Sequence, residues 1–471
     1  MYKASAGIVL PTSIIGSLPR PAWHTAQLGR RSFLEAMVNA RWREQYEDAV
    51  STHLRAQEVA GLDICTDGDA HYDEEIGGWS WQSYPLTHMA GFSQEVALTP
   101  PAVANAAPPR GMILHDQLEA RVLPRITGPL EPGDLQYSAM WKVAQRLTRQ
   151  PVKFGTIMPE LLAAAVHDDY YKDPVERVWA FSEAINQELN ALADAGCPVI
   201  QLEEPQIHMV PARGKPFGRL EIPELVKIFN NTVKGLRGKT EVWCHTCWGN
   251  PAQQRIFRDI QSYQPTLEAL NEVDADALTF ETCSSGTGDL EAIGEIVTRK
   301  KVVIGVIDHH TLQIERPDQV ADIIRVALKH ISAERVVISS DCGMGREGMS
   351  RRHAQYKMVA MLGPTEDAQR SCGCRFTRFV AMMDDDRSSF RIMESTPRIL
   401  VRRSGRLVAR LAGRTAPGLQ VDQLDAVRVD HDLAGPLRFR SGEPFEVEDC
   451  RRIGAPPKHR SDGNGYGLQI I

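Results

Sequence analysis

The feature that most constrains the fold is an alternation of short apolar segments with longer amphipathic segments between about residues 150 and 345. The amphipathic segment at 174–195 is typical: Phe181, Ile185 and Leu189 recur at helical spacing, and Gly196 follows as a helix C-cap would. The apolar segments are short and rich in β-branched residues, which indicates strands. We therefore predict strands over 199–202, 242–245, 277–281, 302–307 and 336–340, and helices over 174–195, 221–236, 290–298 and 317–331.

Strands that alternate with helices predict an α/β protein with a parallel sheet, for which two architectures compete. A doubly wound sheet that binds a dinucleotide carries a Gly-x-Gly-x-x-Gly turn after its first strand, and no such turn follows the first strand here. Charged and metal-binding residue types instead fall at the C-terminal ends of successive strands. That is where the active site of a (β/α)8 (TIM) barrel lies, so we favour the barrel.

Two parts of the chain depart from this alternation. Residues 73–110 hold Trp79 and Trp81 and then a Pro/Ala-rich run, which indicates an insertion after the second strand. After about Gly363 lysine becomes rare, arginine becomes frequent and hydrophobic periodicity fades. We therefore predict a barrel domain over 1–363 and an Arg-rich C-terminal appendage over 364–471, either poorly ordered or a small separate unit. A short hairpin is expected near Leu400 to Leu411.

Composition excludes several classes of function. A formal net charge of -6 gives no basic field that would favour nucleic acid. Nine cysteines at irregular spacings do not form a disulfide framework and fit a reducing compartment. No signal peptide and no membrane-length apolar run is present, so we expect a cytoplasmic protein. The sequence does not set the oligomeric state, and a homo-oligomer stays open.

The strongest local signal for chemistry is the pair His245 and Cys247 at the end of a predicted strand. Residues two apart on a strand leave on the same side, and imidazole with thiolate is a ligand pair that zinc prefers. Glu281 and Cys342 end two further predicted strands and complete a Cys2HisGlu set. The competing interpretation, ordinary buried cysteines, still accounts for Cys342 at this point.

Other polar groups end neighbouring strands. Glu203 and Glu204 follow one strand, and a second strand is followed by Asp69 and His71. Adjacent acids are more often a solvated loop than a site. A third strand ends in Asp308-His309-His310, where a histidine is placed for proton transfer near neutral pH.

Motifs along residues 11–362 resemble the cobalamin-independent methionine synthase family. They are, in chain order, Ile15-Gly16-Ser17-Leu18-Pro19-Arg20, Asp67-Gly68-Asp69, Gln201-Leu202-Glu203-Glu204-Pro205, His245-x-Cys247, Glu281 and Asp341-Cys342-Gly343. The resemblance implies a (β/α)8 barrel with one zinc held by His245, Cys247, Glu281 and Cys342, which transfers an alkyl group to a zinc-bound thiol. It also implies that Asp69 and Glu203 match the acids that hold the homocysteine ammonium, and that His310 matches the active-site histidine.

Within that family the Trp-rich insertion and the run Asp308-His309-His310 are more similar to the single-barrel branch that includes epoxyalkane:coenzyme M transferase. The first function hypothesis is therefore that zinc-bound coenzyme M thiolate opens a short aliphatic epoxide. His310 would protonate the alkoxide, Asp308 would orient His310, and His71 is a second candidate acid. Arg20 would meet the sulfonate.

Two alternatives stay open. The first is methyl transfer to homocysteine from a folate or a methylated corrinoid, with Asp69, Glu203 and the backbone near Ser17 binding the amino acid. Retention of both acids supports it. The second is a non-catalytic scaffold stabilised by a closed, four-coordinate zinc.

Overall fold

We analysed a computed structural model of the 471-residue chain. It describes residues 4–26, 28, 31–70, 80–97, 123–248, 262–345 and 349–371, together with four strands between residues 397 and 443. The chain forms two compact units, Met1–Cys374 and Arg375–Ile471.

The first unit contains a parallel sheet of seven strands whose order, β1-β4-β5-β6-β7-β8-β9, follows the chain. Almost every strand residue is buried, as expected where helices cover one face of a parallel sheet and the barrel interior the other. The strands are β1 (Cys65–Thr66), β4 (Val152–Ile157), β5 (Val199–Glu203), β6 (Glu241–His245), β7 (Ala277–Phe280), β8 (Lys301–Gly305) and β9 (Val336–Ser339).

An extended segment near Thr12 joins the two edges of this sheet. Thr12 forms a parallel bridge with Ile338 of β9, and the N–H of Ser13 donates to the Ile338 carbonyl at 3.0 Å. On the other side, the Thr12 carbonyl accepts the N–H groups of Asp63 and Ile64, just before β1. The segment acts as the eighth member of the ring, so the predicted (β/α)8 barrel is confirmed.

Helices follow the strands and cover the outside of the sheet. The outer helix Pro174–Asp194 begins where the Asp173 carboxylate accepts the Val175 N–H, and Gly196 with a positive φ follows its end. The helices are α1 (Phe33–Val38), α2 (Ala40–Ala60), α3 (Ser80–His88), α4 (Tyr137–Arg146), α5 (Pro159–Ala165), α6 (Pro174–Asp194), α7 (Gln206–Arg213), α8 (Ile222–Thr232), α9 (Leu267–Glu272), α10 (Leu290–Ile296), α11 (Pro317–His330) and α12 (Arg351–Ser371), with 3-10 turns at Pro216–Gly218 and Gln264–Thr266.

The insertion follows the second member of the ring, as predicted. Its described part comprises helix α3 and an antiparallel pair, β2 (Ala90–Ala97) with β3 (Leu123–Glu131). This pair packs on the outer helix α6, where the ring of Phe92 lies 6.1 Å from that of Phe181. Trp79 and His71 lie outside the described residues.

The barrel interior is packed by one layer to which most strands contribute a side chain. Its members are Ala4, Ile64, Val199, Trp243, Ala277, Val303 and Val337. Strand β4 contributes Lys153, whose ammonium lies 4.7 Å from the centre of the Trp243 ring. This layer fills the barrel, so polar chemistry is left to the C-terminal strand ends.

The second unit contains two antiparallel pairs, β10 (Pro397–Val401) with β11 (Leu407–Leu411) and β12 (Ala426–Asp430) with β13 (Arg438–Glu443). The first pair matches the hairpin expected near Leu400. Helix α12 of the first unit continues past Gly363 to Ser371. The division of roles between a barrel domain and an appendage stays a prediction. In the part of the chain described, no helix has the length and apolar character needed to cross a membrane.

Candidate active site

The end of strand β6 presents the ring of His245 into the barrel mouth. The ring is fully buried, and its Nδ1 lies 2.6 Å from the Thr279 hydroxyl on the neighbouring strand β7. That hydroxyl also accepts the N–H of Thr246 at 3.1 Å. Nε2 makes no hydrogen bond within the described part of the chain, although it lies 3.4 Å from Oε2 of Glu203. The His245 ring is thus fixed through one nitrogen and keeps the other available as a ligand.

Two thiols lie close to the ring of His245. Nε2 of His245 and the sulfurs of Cys247 and Cys342 belong to one buried group in which all ligand atoms lie within 4.8 Å of one another. A hydrogen bond from the Cys247 thiol, together with the nearby His245 ring, holds the pKa of Cys342 well below its usual range. The same hydrogen bond, with burial, raises the pKa of Cys247. The pair therefore shares a proton that a divalent cation would displace.

The carboxylate of Glu281 follows strand β7 and is not part of this three-residue group, although its charge contributes to the raised pKa of Cys247. Burial and the nearby charges of Asp341 and Cys342 raise the pKa of Glu281 well above its usual range. Oε2 accepts from the Ser284 hydroxyl at 3.3 Å, while Oε1 is buried without a hydrogen-bond partner among the described residues. A buried carboxylate oxygen with no donor is costly unless a cation meets it. One imidazole, two thiols and this carboxylate form a donor set that fits zinc.

The Asp341 carboxylate braces the loops that carry two of these candidate ligands. Oδ1 accepts the N–H groups of Thr282 and Cys283, each at 3.0 Å, and Oδ2 accepts that of Ser284 at 2.6 Å. Asp341 precedes Cys342, and the three donors follow Glu281. One carboxylate therefore fixes the positions of Glu281 and Cys342 relative to each other.

The predicted substrate acids lie on adjacent parts of the same rim. Glu203 ends strand β5, and its Oε1 accepts from the Gln201 amide at 2.9 Å. Asp69 has a positive φ of 55°, and a Cβ added to Gly16 would lie 3.0 Å from its Oδ2. Burial lowers the pKa of Lys153 to about 7, while the charges of Glu203 and Asp69 oppose that shift. The two acids therefore lie close to one buried point in the barrel.

Ser17 and Arg20 belong to the loop that follows the first member of the ring. The Ser17 carbonyl accepts the N–H of Met344 at 2.8 Å, so Ser17 lies against the turn that follows Cys342. A Cβ on Gly343 would lie 2.2 Å from the Ser17 hydroxyl, which leaves space only for glycine there. Arg20 lies near His53 of helix α2. Burial lowers the pKa of His53 to about 3; the charge of Asp67 opposes this shift, and the charge of Arg20 adds to it.

The loop after strand β8 holds a histidine–carboxylate pair. Nδ1 of His310 lies 3.0 Å from Oδ1 of Asp308, which also accepts the His310 N–H at 2.8 Å. Although burial raises the pKa of Asp308, the hydrogen bonds from His310 bring it down to about 2. Nε2 of His310 is buried and has no hydrogen-bond partner among the described residues. Asp308 thus fixes the ring and leaves Nε2 available to a substrate. His71, the other predicted acid, lies outside the described residues.

Several supporting residues could not be assigned a role from the sequence. Thr279 and Asp341 act on the candidate ligands, and Gln201 connects Glu203 to Lys153, whose Nζ donates to Oε1 of Gln201 at 2.6 Å. Lys357 of helix α12 contacts the loop that carries Asp308. The one signal that could have found Lys153 is its position inside an otherwise apolar strand.

Comparisons with known proteins find one matching family model and a group of relatives. Residues 113–363 match the family model described as "Cobalamin-independent synthase, Catalytic domain". The chain is 26% identical over 358 residues to a methionine synthase of Saccharolobus solfataricus, covering 76% of this chain and 94% of that protein. It is 27% identical over 364 residues to a methionine synthase of Thermococcus kodakarensis, covering 77% and 94%.

Two solved structures share the fold. A B12-independent methionine synthase from Shewanella sp., in complex with selenomethionine, superposes with a TM-score of 0.61 at 22% identity, covering 78% of this chain and 99% of that one. A structure from Listeria monocytogenes, described as a putative vitamin-B12 independent methionine synthase, gives 0.53 at 16% identity, covering 77% and 99%.

Proposed function

Because the chain belongs to the cobalamin-independent synthase catalytic domain family, we propose that it is a zinc enzyme that transfers a methyl group to the thiol of homocysteine. The relatives named above as methionine synthases support this reaction. His245, Cys247, Glu281 and Cys342 would hold the metal. Zinc, when bound, lowers the pKa of a coordinated thiol so that its sulfur is a nucleophile at neutral pH.

The choice of substrate rests on two acids, Glu203 and Asp69, that lie beside the candidate ligands. Oε2 of Glu203 lies 3.4 Å from Nε2 of His245, and the Asp69 carboxylate lies against Gly16. Two carboxylates at this rim attract an ammonium group and repel a sulfonate. Homocysteine carries an ammonium group, whereas coenzyme M carries a sulfonate at the corresponding end. The charges therefore favour the amino acid thiol.

The remaining chemical task belongs to the His310–Asp308 pair. A methyl donor such as a folate leaves as an amine that gains a proton, and Nε2 of His310 is the group placed to supply it. Asp308 holds the ring in one orientation. A folate and a methylated corrinoid are the two candidate donors.

Epoxide opening with coenzyme M is the second candidate, and it uses the same zinc-bound thiolate and the same acid. Its support is the similarity of the Trp-rich insertion and the Asp308-His309-His310 run to that branch. It requires a cation for the sulfonate. The predicted cation, Arg20, lies near His53 of helix α2. A non-catalytic zinc scaffold is the third reading, and it predicts a metal that no added thiol affects.

A parallel turnover measurement separates these readings. The zinc-loaded protein is incubated with homocysteine and either methyltetrahydrofolate or methylcobalamin, and separately with coenzyme M and epoxypropane, and thiol loss is followed. We expect thiol loss only with homocysteine. The variant Glu203→Gln should raise the KM for homocysteine about 10-fold or more because it removes one charge from the ammonium site. The control Glu183→Gln, at an exposed position of helix α6, should leave KM unchanged. Thiol loss only with the epoxide would overturn the proposal.

A further inference from the structure

A buried ion pair outside the candidate ligands lies directly behind the histidine–carboxylate pair. Lys357 of helix α12 is fully buried, and its ammonium lies 2.7 Å from Oε1 of Glu315, which is also buried. The same ammonium donates to the carbonyl of Asp308 at 3.0 Å and to that of Gln313 at 2.6 Å. All three acceptors belong to the loop after strand β8. Lys357 thus connects this loop to helix α12.

Both polar backbone groups of Asp308 are held by this pair. Its carbonyl accepts from Lys357, and its N–H donates to Oε1 of Glu315 at 3.0 Å. The side chain of Asp308 in turn holds His310 through two hydrogen bonds. An unbroken series of contacts therefore runs from helix α12 through Lys357 and Glu315 to the His310 ring.

The free-energy cost of burying such an ion pair bears on its role. Removing an ammonium and a carboxylate from water carries a large free-energy cost, and an apolar pair of similar volume is often as stable or more stable. A buried salt bridge therefore contributes little to stability by itself. Its distinctive property is directional bonding to the peptide groups around Asp308. We infer that Lys357 and Glu315 are positioning residues that set the orientation of the His310 ring for proton transfer. This inference rests on the proposed role of His310 as an acid.

The orientation of the ring can be measured without any turnover. Protein labelled with 15N-histidine gives imidazole signals, and the His310 signals are those missing from the variant His310→Gln. The variant Lys357→Met removes the ammonium and keeps much of the side-chain volume. We expect the His310 signals to shift or broaden in Lys357→Met because the Asp308 carbonyl loses its donor.

A matched control comes from the other end of the barrel. Lys301 is also buried, and it donates to the carbonyl of Ser5 at 2.8 Å. The variant Lys301→Met removes a buried ammonium there and should leave the His310 signals unchanged. Should Lys357→Met fail to fold, Glu315→Gln keeps an amide oxygen near Lys357, removes the charge, and should shift the same signals.

Kinetics supply the second readout. Lys357→Met should lower kcat about 10-fold to 100-fold while leaving the KM for the thiol and the zinc content unchanged. In the His310→Gln background the same substitution should cost nothing further, because the group that it positions is gone. Unchanged His310 signals in Lys357→Met, or an equal loss of kcat in both backgrounds, would overturn the inference. Failure of the wild-type protein to consume homocysteine would instead overturn the proposed function and leave the spectroscopic comparison valid.

Discussion

Nδ1 of His245 lies 2.6 Å from the hydroxyl oxygen of Thr279, one strand away in the barrel. The same oxygen accepts the N–H of Thr246, so strand β7 fixes both the His245 ring and the backbone that leads to Cys247. A metal-binding histidine depends on such a contact because it sets the tautomer and the direction of the other nitrogen. The candidate metal site is therefore held by two neighbouring strands.

Replacing Thr279 by valine tests this contact. Thr279→Val keeps the shape of the side chain and removes the hydroxyl that contacts Nδ1 of His245 and the N–H of Thr246. We expect zinc affinity to fall about 10-fold to 100-fold, measured by competition with a chromophoric chelator. Thr232→Val, at a buried threonine of helix α8, is the control and should not change the affinity. Equal affinities in Thr279→Val and wild type would mean that the contact does not orient the ligand.

The carboxylate of Asp341 occupies the space that a side chain would need at Gly305, the last residue of strand β8. A Cβ at this position would lie 1.9 Å from Oδ1 of Asp341, so Gly305→Ala must displace that carboxylate. The N–H groups of residues 282–284 would lose their acceptor, and Glu281 would move relative to Cys342. We expect a loss of about 1–3 kcal/mol in the free energy of unfolding and a fall of about 10-fold or more in zinc affinity.

Gly288→Ala provides the comparison, because an added Cβ there meets nothing within 4 Å. Chemical denaturation and chelator competition on both variants give the two quantities. A Gly305→Ala protein with normal stability and normal zinc affinity would contradict the bracing role of Asp341.

The buried carboxyls of Glu160 and Glu204 predict a specific pH dependence. Burial and the neighbouring Glu204 raise the pKa of Glu160 well above its usual range. The folded state therefore holds a proton that the unfolded state releases, and wild-type stability falls as pH rises above the usual glutamic acid pKa. Glu160→Gln removes this loss, and its amide can donate to the Glu204 carboxylate in place of the Glu160 carboxyl proton.

The expected result is a free energy of unfolding that is higher in Glu160→Gln than in wild type at pH 8, with the difference shrinking towards pH 4. Denaturant titrations at several pH values give this comparison. The exposed control Glu183→Gln should follow the wild-type curve. A difference that grows as pH falls would show that Glu160 is ionised in the folded protein.

The barrel and the candidate ligands could be predicted from the sequence because each rests on a local pattern. The residues of strand β6 before His245 are largely apolar, and the strand ends in a His-x-Cys pair. Glu281 and Cys342 are chosen on the same ground, because each also follows the end of a strand. The predicted strands and helices between 174 and 340 agree with the structure to within a few residues at each end. Chain order alone then brings these ends to one rim.

The supporting residues could not be predicted because their roles depend on distant partners. Lys153 lies in a strand, where lysine is usually solvent-exposed, and its acceptors are the Ile14 carbonyl and the Gln201 amide. Asp341 follows two serines, and nothing local shows that three N–H groups of another loop surround it. The segment at Thr12 makes a single bridge, to Ile338, and Pro11, Thr12 and Ser13 interrupt the apolar residues on either side of it.

The measurement that tests the central claim most directly is the absorption spectrum of the cobalt-substituted protein during titration with thiol. Co2+ replaces zinc in such sites, and thiolate ligands give intense near-ultraviolet charge-transfer bands. We predict such bands in the wild-type protein, weaker bands in Cys342→Ser, and a further increase when homocysteine is added. Coenzyme M at the same concentration should give no increase, because Asp69 and Glu203 oppose its sulfonate. The absence of the bands from the wild-type protein, or an increase with coenzyme M alone, would contradict the account.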